Sequence, residues 1–352
     1  MQAVILIGGV GSRLRPLTCH EPKPLLPLVN EPFIHYPLKM LRKHGIRDVV
    51  LCTSYKAETF RKVLGNGKAL GLNLRFAHEK HPLGTGGALK NSQRLLGDSG
   101  PVLVLNGDVL HALDVSAFLK FHRRRKADAS IALIRVKDPT LYGLVHTDAT
   151  GRVVKFVEKP SWDEVETNTI NAGAYILEPK ILDFIPPHVP YSLERSLFPL
   201  LLQANRRFFG YVSKGYWMDI GTIDKYLQAH LDIMGGHAFG HPAASGHSLA
   251  LAAGARLGRH LDRGAAAVVV GRRAVVEDFA RFSGGVCIGE GARVGKGSFL
   301  EDCVVLAGAR IKEGVSLKRC VVGQHCVVET QAQISPGAAL AAHSRVRAYS
   351  RL

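Results

Sequence analysis

An aliphatic residue recurs every six positions through the last third of the chain. Val270, Val276, Phe282, Ile288, Val294, Leu300 and Leu306 keep this step. Ile311 and Leu317 continue it after a step of five, and Val322, Val328, Ile334, Leu340 and Val346 return to six. Glycine commonly lies nearby, as in Ile288-Gly289 and Val294-Gly295. A six-residue period suits neither a helix nor a long strand. It predicts one short strand and one turn for each face of a three-sided parallel β-helix, with the aliphatic side chain inward. Each turn buries its apolar residue only by stacking on the next.

The first two thirds follow another rule. Ala3–Ile7, Val49–Thr53, Leu74–His78, Val102–Leu105 and Ser130–Val136 are apolar runs of strand length. Between them Phe33–His44, Ala57–Leu64, Gly86–Leu96 and Val115–Arg125 carry helical spacing. Such alternation predicts an α/β domain, a Rossmann-like mostly parallel sheet covered on both faces. Gly143–His146 and Val153–Val157 read as an inserted hairpin, and Ala174–Leu177 and Phe209–Val212 as further strands. The segment 235–247 lacks apolar periodicity and reads as a linker, which places domains at 1–234 and 248–352.

Composition excludes several classes. With 46% hydrophobic and 21% charged residues the chain is neither disordered nor membrane-spanning, and no run nears the ~18 apolar residues of a span. Its six scattered cysteines form no CxxC, which predicts reduced thiols in the cytoplasm. The net charge of +17 permits phosphorylated partners. The densest basic run, His122 to Lys126, falls at a helix C-terminus, where the dipole favours cations. No aromatic-interleaved patch or zinc-finger spacing accompanies it, so neither nucleic acid nor a membrane is expected as partner.

The segment GGVGSRLRPLTCHEPKP, Gly8 to Pro24, follows the first strand directly. Gly8, Gly9 and Gly11 let backbone N–H groups approach a phosphate. Leu14 replaces the third glycine of a dinucleotide fingerprint, and no Gly-Lys-Ser/Thr closes a Walker loop. Arg13 and Lys23 would supply fixed positive charge. Asp108 ends Leu105-Asn106-Gly107-Asp108 at the carboxyl edge of a strand, where open sheets bind ligands. It reads as an oxygen ligand for Mg²⁺ or as a helix cap. Asp219, in Gly215–Thr222, would share such a metal. Glu158-Lys159-Pro160 reads as a site pair or a surface pair.

In their order, GGVGSRLRPLT, PKP, LGTGGAL, LNGD, YGLV, VEKP, NAGAYIL and GYWMDIGT resemble the sugar-nucleotide pyrophosphorylases along essentially the whole chain. The loop Pro82–Gly87 and Ser192-Leu193-Glu194 are similar to the guanine-using, mannose-1-phosphate branch. The resemblance implies a left-handed hexapeptide β-helix and a nucleotidyltransferase that makes a GDP-sugar, GDP-mannose first, from GTP and a sugar 1-phosphate. It implies catalytic Arg13, Lys23 and Lys159. Nucleotide contacts would come from Leu6, Gly8, Gly9, Gly11, Ser12, Gly84, Thr85, Gly87, Asn106 and Gly107. Gly143, Glu158, Lys159 and Asn171 would hold the sugar phosphate, and Asp108 and Asp219 would hold Mg²⁺. Ser12 stands where the family usually has Thr. Three alternatives follow: another nucleotide or sugar phosphate (heptose, glucose or cyclitol), a non-catalytic regulatory subunit, or added acyl transfer using His325 or His343. A homo-oligomer is expected from the β-helix.

Overall fold

The computed structural model describes every residue except Tyr55, Asp98, Ser99 and 240–248. The linker expected at 235–247 therefore lies largely outside the described residues. Two compact units result. One comprises Met1–Gly9 and Ile34–Trp217, the other Val10–Phe33 and Met218–Leu352.

The first unit is built on a nine-stranded mixed sheet. Asn73–His78, Asp48–Thr53, Gln2–Leu6 and Val102–Asn106 run parallel in that spatial order. Val102–Leu105 and Ala3–Ile5 are almost fully buried, as strands covered on both faces must be. Thr169–Leu177 then pairs antiparallel with both Val102–Asn106 and Ala129–Arg135. The expected hairpin is present, Gly143–Thr147 against Val153–Glu158. Thr169–Leu177 is longer than its apolar run suggested, because the polar Asn171 and a kink at Gly173 (φ 73°) sit inside it. Asp114 caps the helix Val115–Arg124 by accepting from the Ala117 N–H at 2.9 Å. Arg123, Arg124 and Lys126 beyond are solvated as expected. His122 is not. It is buried between Ser130 Oγ at 2.8 Å and Glu178 Oε1 at 3.2 Å.

The second unit contains the helix Ile223–Met234 and the β-helix. The coil's columns are in register. Val270, Ile288, Val305, Val322 and Leu340 pair in succession, as do Val276, Val294, Ile311, Val328 and Val346. Phe282, Leu300, Leu317 and Ile334 form the third column. These side chains make one continuous core. One expected position shifts by a residue: Val305, not Leu306, occupies the core column. The first five-residue step thus falls between Leu300 and Val305, a corner that Asp302 turns at φ 45°, and a second falls between Leu317 and Val322. His325 and His343 occupy corners too, at φ 54° and 61°, with rings stacked 5.1 Å apart. Among the described residues no helix is long and apolar enough to cross a membrane.

Candidate active site

In the second unit, the glycine-rich segment turns at Gly11, held at φ 70°. The Gly11 carbonyl accepts from Thr18 Oγ1 at 2.8 Å and from the Leu14 N–H at 3.0 Å. A Cβ at Gly11 would meet Lys23 Cβ at 3.0 Å, so glycine lets the loop close over Lys23. Lys23 is 7% exposed, and a lysine buried so far needs a counter-charge. Its Nζ lies 4.0 Å from Asp219 Oδ1, while Lys225 Nζ lies 3.6 Å from Oδ2. A Cβ at Gly221 would come within 3.1 Å of Asp219 Oδ2 and 3.3 Å of the Arg13 guanidinium carbon. Arg13, Lys23 and Asp219 are therefore brought together, with Ser12 exposed beside Arg13. Lys225 was missed in the sequence, because it lies three residues beyond Gly215–Thr222, in the first turn of the helix Ile223–Met234.

The first unit carries the other expected residues. Gly107 tucks under the first strand, donating its N–H to the Leu6 carbonyl at 2.9 Å. A Cβ there would collide with Ile7 Cγ2 at 2.2 Å. Asp108 follows, and the chain continues as the strand Val109–His111, so no helix begins there for it to cap. Asn106 packs against Gly173, with its Oδ1 buried and unpartnered among the described residues. Gly8 accepts at its carbonyl from Ser54 Oγ at 2.7 Å, and Gly9 is open to solvent.

The Gly84–Gly87 turn opens the helix Gly84–Ser92 with Gly84 at φ 69°. Its groups are largely engaged inside the protein. The N–H groups of Gly86 and Gly87 donate to the Tyr191 carbonyl at 2.8 and 3.1 Å. Thr85 Oγ1 donates to Glu194 Oε2 at 2.7 Å and accepts from the Leu193 N–H at 2.9 Å. These residues hold the loop rather than present free donors. Glu79, which no motif marked, lies beneath it at 5% exposure. Its Oε2 accepts from the Leu83 N–H at 3.0 Å, and its Oε1 lies 3.6 Å from where a Gly8 Cβ would stand. Burial raises its pKa, partly offset by the Leu83 N–H and His78.

Gly143 leaves room for Glu158, whose Oε2 would lie 2.8 Å from a Cβ there. Burial, then the Glu194 carboxylate, raises the Glu158 pKa against the pull of Lys159 and Arg195. Lys159 is exposed at φ 53°, its N–H on the Tyr142 carbonyl at 3.0 Å. Asn171 donates to the Tyr175 hydroxyl at 2.8 Å and accepts from the Gly173 N–H at 2.9 Å, so its amide clamps the strand kink. Tyr142 meets Trp217 edge-on at 5.3 Å, and Trp217 Nε1 donates to the Ala172 carbonyl.

Among the described residues no group of three or more His, Cys, Asp or Glu could hold a metal. Asp108 lies in the turn after Val102–Asn106, and Asp219 ends the short strand Trp217–Asp219. Each by itself is a hard-oxygen donor that fits Mg²⁺, which takes one or two carboxylates and leaves other positions for phosphates and water.

The nucleotidyl transferase family model matches residues 2–235, and the GMPPB C-terminal domain model matches 265–350. The chain is 40% identical to a mannose-1-phosphate guanylyltransferase of Mycobacterium tuberculosis, across 89% of this chain and 81% of the relative. It is 34% identical to a probable mannose-1-phosphate guanylyltransferase 3 of Oryza sativa, across 95% and 89%. The fold is similar to HddC from Yersinia pseudotuberculosis complexed with GMP-PN, with TM-score 0.57 and 31% identity over 66% of this chain and 99% of that one. The chain belongs to the nucleotidyl transferase family and carries a C-terminal domain of the GMPPB type.

Proposed function

We propose that this enzyme makes GDP-mannose and pyrophosphate from GTP and mannose 1-phosphate. The observation that carries the reading is the set of Arg13 and buried Lys23 on a glycine-rich segment beside Asp219, in a chain similar to mannose-1-phosphate guanylyltransferases along most of its length. A sugar-phosphate oxygen attacks the α-phosphorus of GTP in line. The new P–O bond forms as the bond to the β-phosphate oxygen breaks, and the electron pair leaves with pyrophosphate. The nucleophile is already anionic at neutral pH, so no general base is needed. Arg13 and Lys23 neutralise the triphosphate, and Lys159 binds the sugar phosphate. Asp108 and Asp219 would hold Mg²⁺, which when bound supplies charge neutralisation at the phosphates. Gly143 and Glu158 take sugar hydroxyls.

Guanine recognition is assigned to Glu79. Guanine offers an N1–H and an N2 amino group as adjacent donors, and a desolvated carboxylate is the matching acceptor. Leu6, Gly8, Asn106 and Gly107 form the backbone edge beside it, with Gly84, Thr85 and Gly87 shaping the loop. Homo-oligomerisation and a cytoplasmic location belong to the same reading.

The deciding experiment crosses the common nucleoside triphosphates with mannose, glucose and heptose 1-phosphates, read by pyrophosphate release. The expected result is Mg²⁺-dependent release, highest with GTP and mannose 1-phosphate. Activity that survives complete chelation removes the metal assignment, and equal kcat/KM for GTP and dTTP removes the base assignment.

A further inference from the structure

The segment bearing Arg13 and Lys23 ends in a tight hairpin inside the second unit. Pro27–Leu28 pairs antiparallel with Glu31–Pro32, and the turn between them holds Val29 at φ 49° and Asn30 at φ 64°. Asn tolerates that region. A β-branched residue seldom enters it, and Val29 is buried there as well. Such a turn persists only when its surroundings over-determine it.

The surroundings are the β-helix and its helix Ile223–Met234. Asn30 Nδ2 donates to the Ile288 carbonyl at 2.9 Å. Its backbone also hydrogen-bonds the buried Cys287 thiol. The Tyr226 hydroxyl donates to the Pro27 carbonyl. Tyr226 belongs to the helix whose Leu231 and Met234 close over Gly285, where a Cβ would stand 2.6 Å from Leu231 Cδ2. Nearer the glycine-rich turn, the His20 ring meets His343 edge-on at 6.2 Å. The chain of contacts runs back to Lys23. The Phe33 N–H donates to the Leu26 carbonyl at 3.0 Å, and the Leu26 N–H donates to the Lys23 carbonyl at 3.1 Å.

We propose that Asn30 is a positioning residue: through it, the coil turn at Cys287–Ile288 fixes the hairpin that sets Lys23 and Arg13 for the nucleotide. The β-helix is then a working part of the triphosphate site. This rests on the reading that Arg13 and Lys23 bind GTP.

The test is Asn30→Gly. Glycine adopts φ 64° freely, so the turn is kept and only the amide bond to Ile288 is lost. The matched control is Ser298→Ala. It removes a buried side-chain bond to the Lys312 carbonyl (3.0 Å) within the coil, away from the hairpin. Both variants should lower Tm modestly. Only Asn30→Gly should raise KM for GTP, by about 3–10-fold, the worth of one hydrogen bond, with KM for mannose 1-phosphate unchanged. Asn30→Asp, which faces a carbonyl with an acceptor, should do worse than glycine. If Asn30→Gly matches wild type in KM for GTP, or if both variants move both KM values alike, the proposal is overturned. Were the wild type itself inactive with GTP, the functional reading would fail instead, and the same comparison would be run with whichever nucleotide it turns over.

Discussion

Glu79→Gln tests the base assignment at a single atom. The amide is isosteric, and its oxygen can take over the Leu83 N–H now held at 3.0 Å. That leaves the NH₂ on the side facing Gly8, where Oε1 lies. A donor then opposes the two donors of guanine. Hydrogen bonds to a charged acceptor are worth about 1.5–3 kcal/mol each. At 1.36 kcal/mol per decade, kcat/KM for GTP should fall about 10–100-fold. ITP lacks the N2 amino group, so it should already lose about tenfold against wild type and lose less than GTP on substitution. Steady-state pyrophosphate release with GTP, ITP and ATP reads all three. Acidity adds a second signature. Burial raises the Glu79 pKa, so the carboxylate protonates above the usual carboxylate range. As pH falls into that window the wild type loses its acceptor and kcat/KM for GTP declines, whereas the Gln variant lacks this titration. A variant within twofold of wild type on GTP refutes the reasoning. So does one that loses GTP and ATP equally, since that would mean a collapsed loop.

Gly107→Ala places a methyl 2.2 Å from Ile7 Cγ2 and 2.8 Å from the Leu6 carbonyl; overpacking of about 1–3 kcal/mol should lower Tm and cut turnover together. Normal activity would show that the strand edge yields freely. Val294→Asp buries a carboxylate in the coil core at 0% exposure and should cost several kcal/mol by thermal unfolding, while Arg293→Asp on the outer face should cost little. The reverse order would put the register off by one. His111 and His230 are buried and held neutral, each with a pKa lowered to about 4 by desolvation. The unfolded chain binds those protons near pH 6.5, so stability is full above that pH and drains as pH falls toward 4, by up to about 3 kcal/mol per imidazole. Urea unfolding at pH 7.5 and 5 should show the loss, and equal stability at both would contradict it.

What could be read from the sequence was set by the strength of each local signal. The sheet strands and the helix Ala57–Leu64 were legible because their apolar periods are uninterrupted. The coil was legible because fourteen positions recur at steps of six, with two steps of five, yet Val305 and Leu306 are both aliphatic and period alone cannot choose between them. Arg13, Lys23 and Asp219 were legible through their motifs, and packing does gather them. Glu79 was not. It is one carboxylate in an ordinary context, and its importance comes from which loop folds over it. Glu194 was marked only through Ser192-Leu193-Glu194, and its bond to Thr85 comes from the fold. Nor could the sequence show that Val10–Phe33 packs with the β-helix, since that depends on one hairpin turn and the Asn30 amide.

The coil's column spacing makes it a ruler. From Leu251 through Val270, Ile288, Val305 and Val322 to Leu340, five successive pairings stack at about 4.8 Å, some 24 Å in all. The chain spends 17 to 19 residues on each step, so length here is quantised. Duplicating one whole turn would move the far end outward by a single strand spacing and leave every column in line. Inserting one residue within a strand would turn its side chains inside out. A lineage can lengthen or shorten this rod in whole turns while Cys287 and Ile288 keep their place against Asn30.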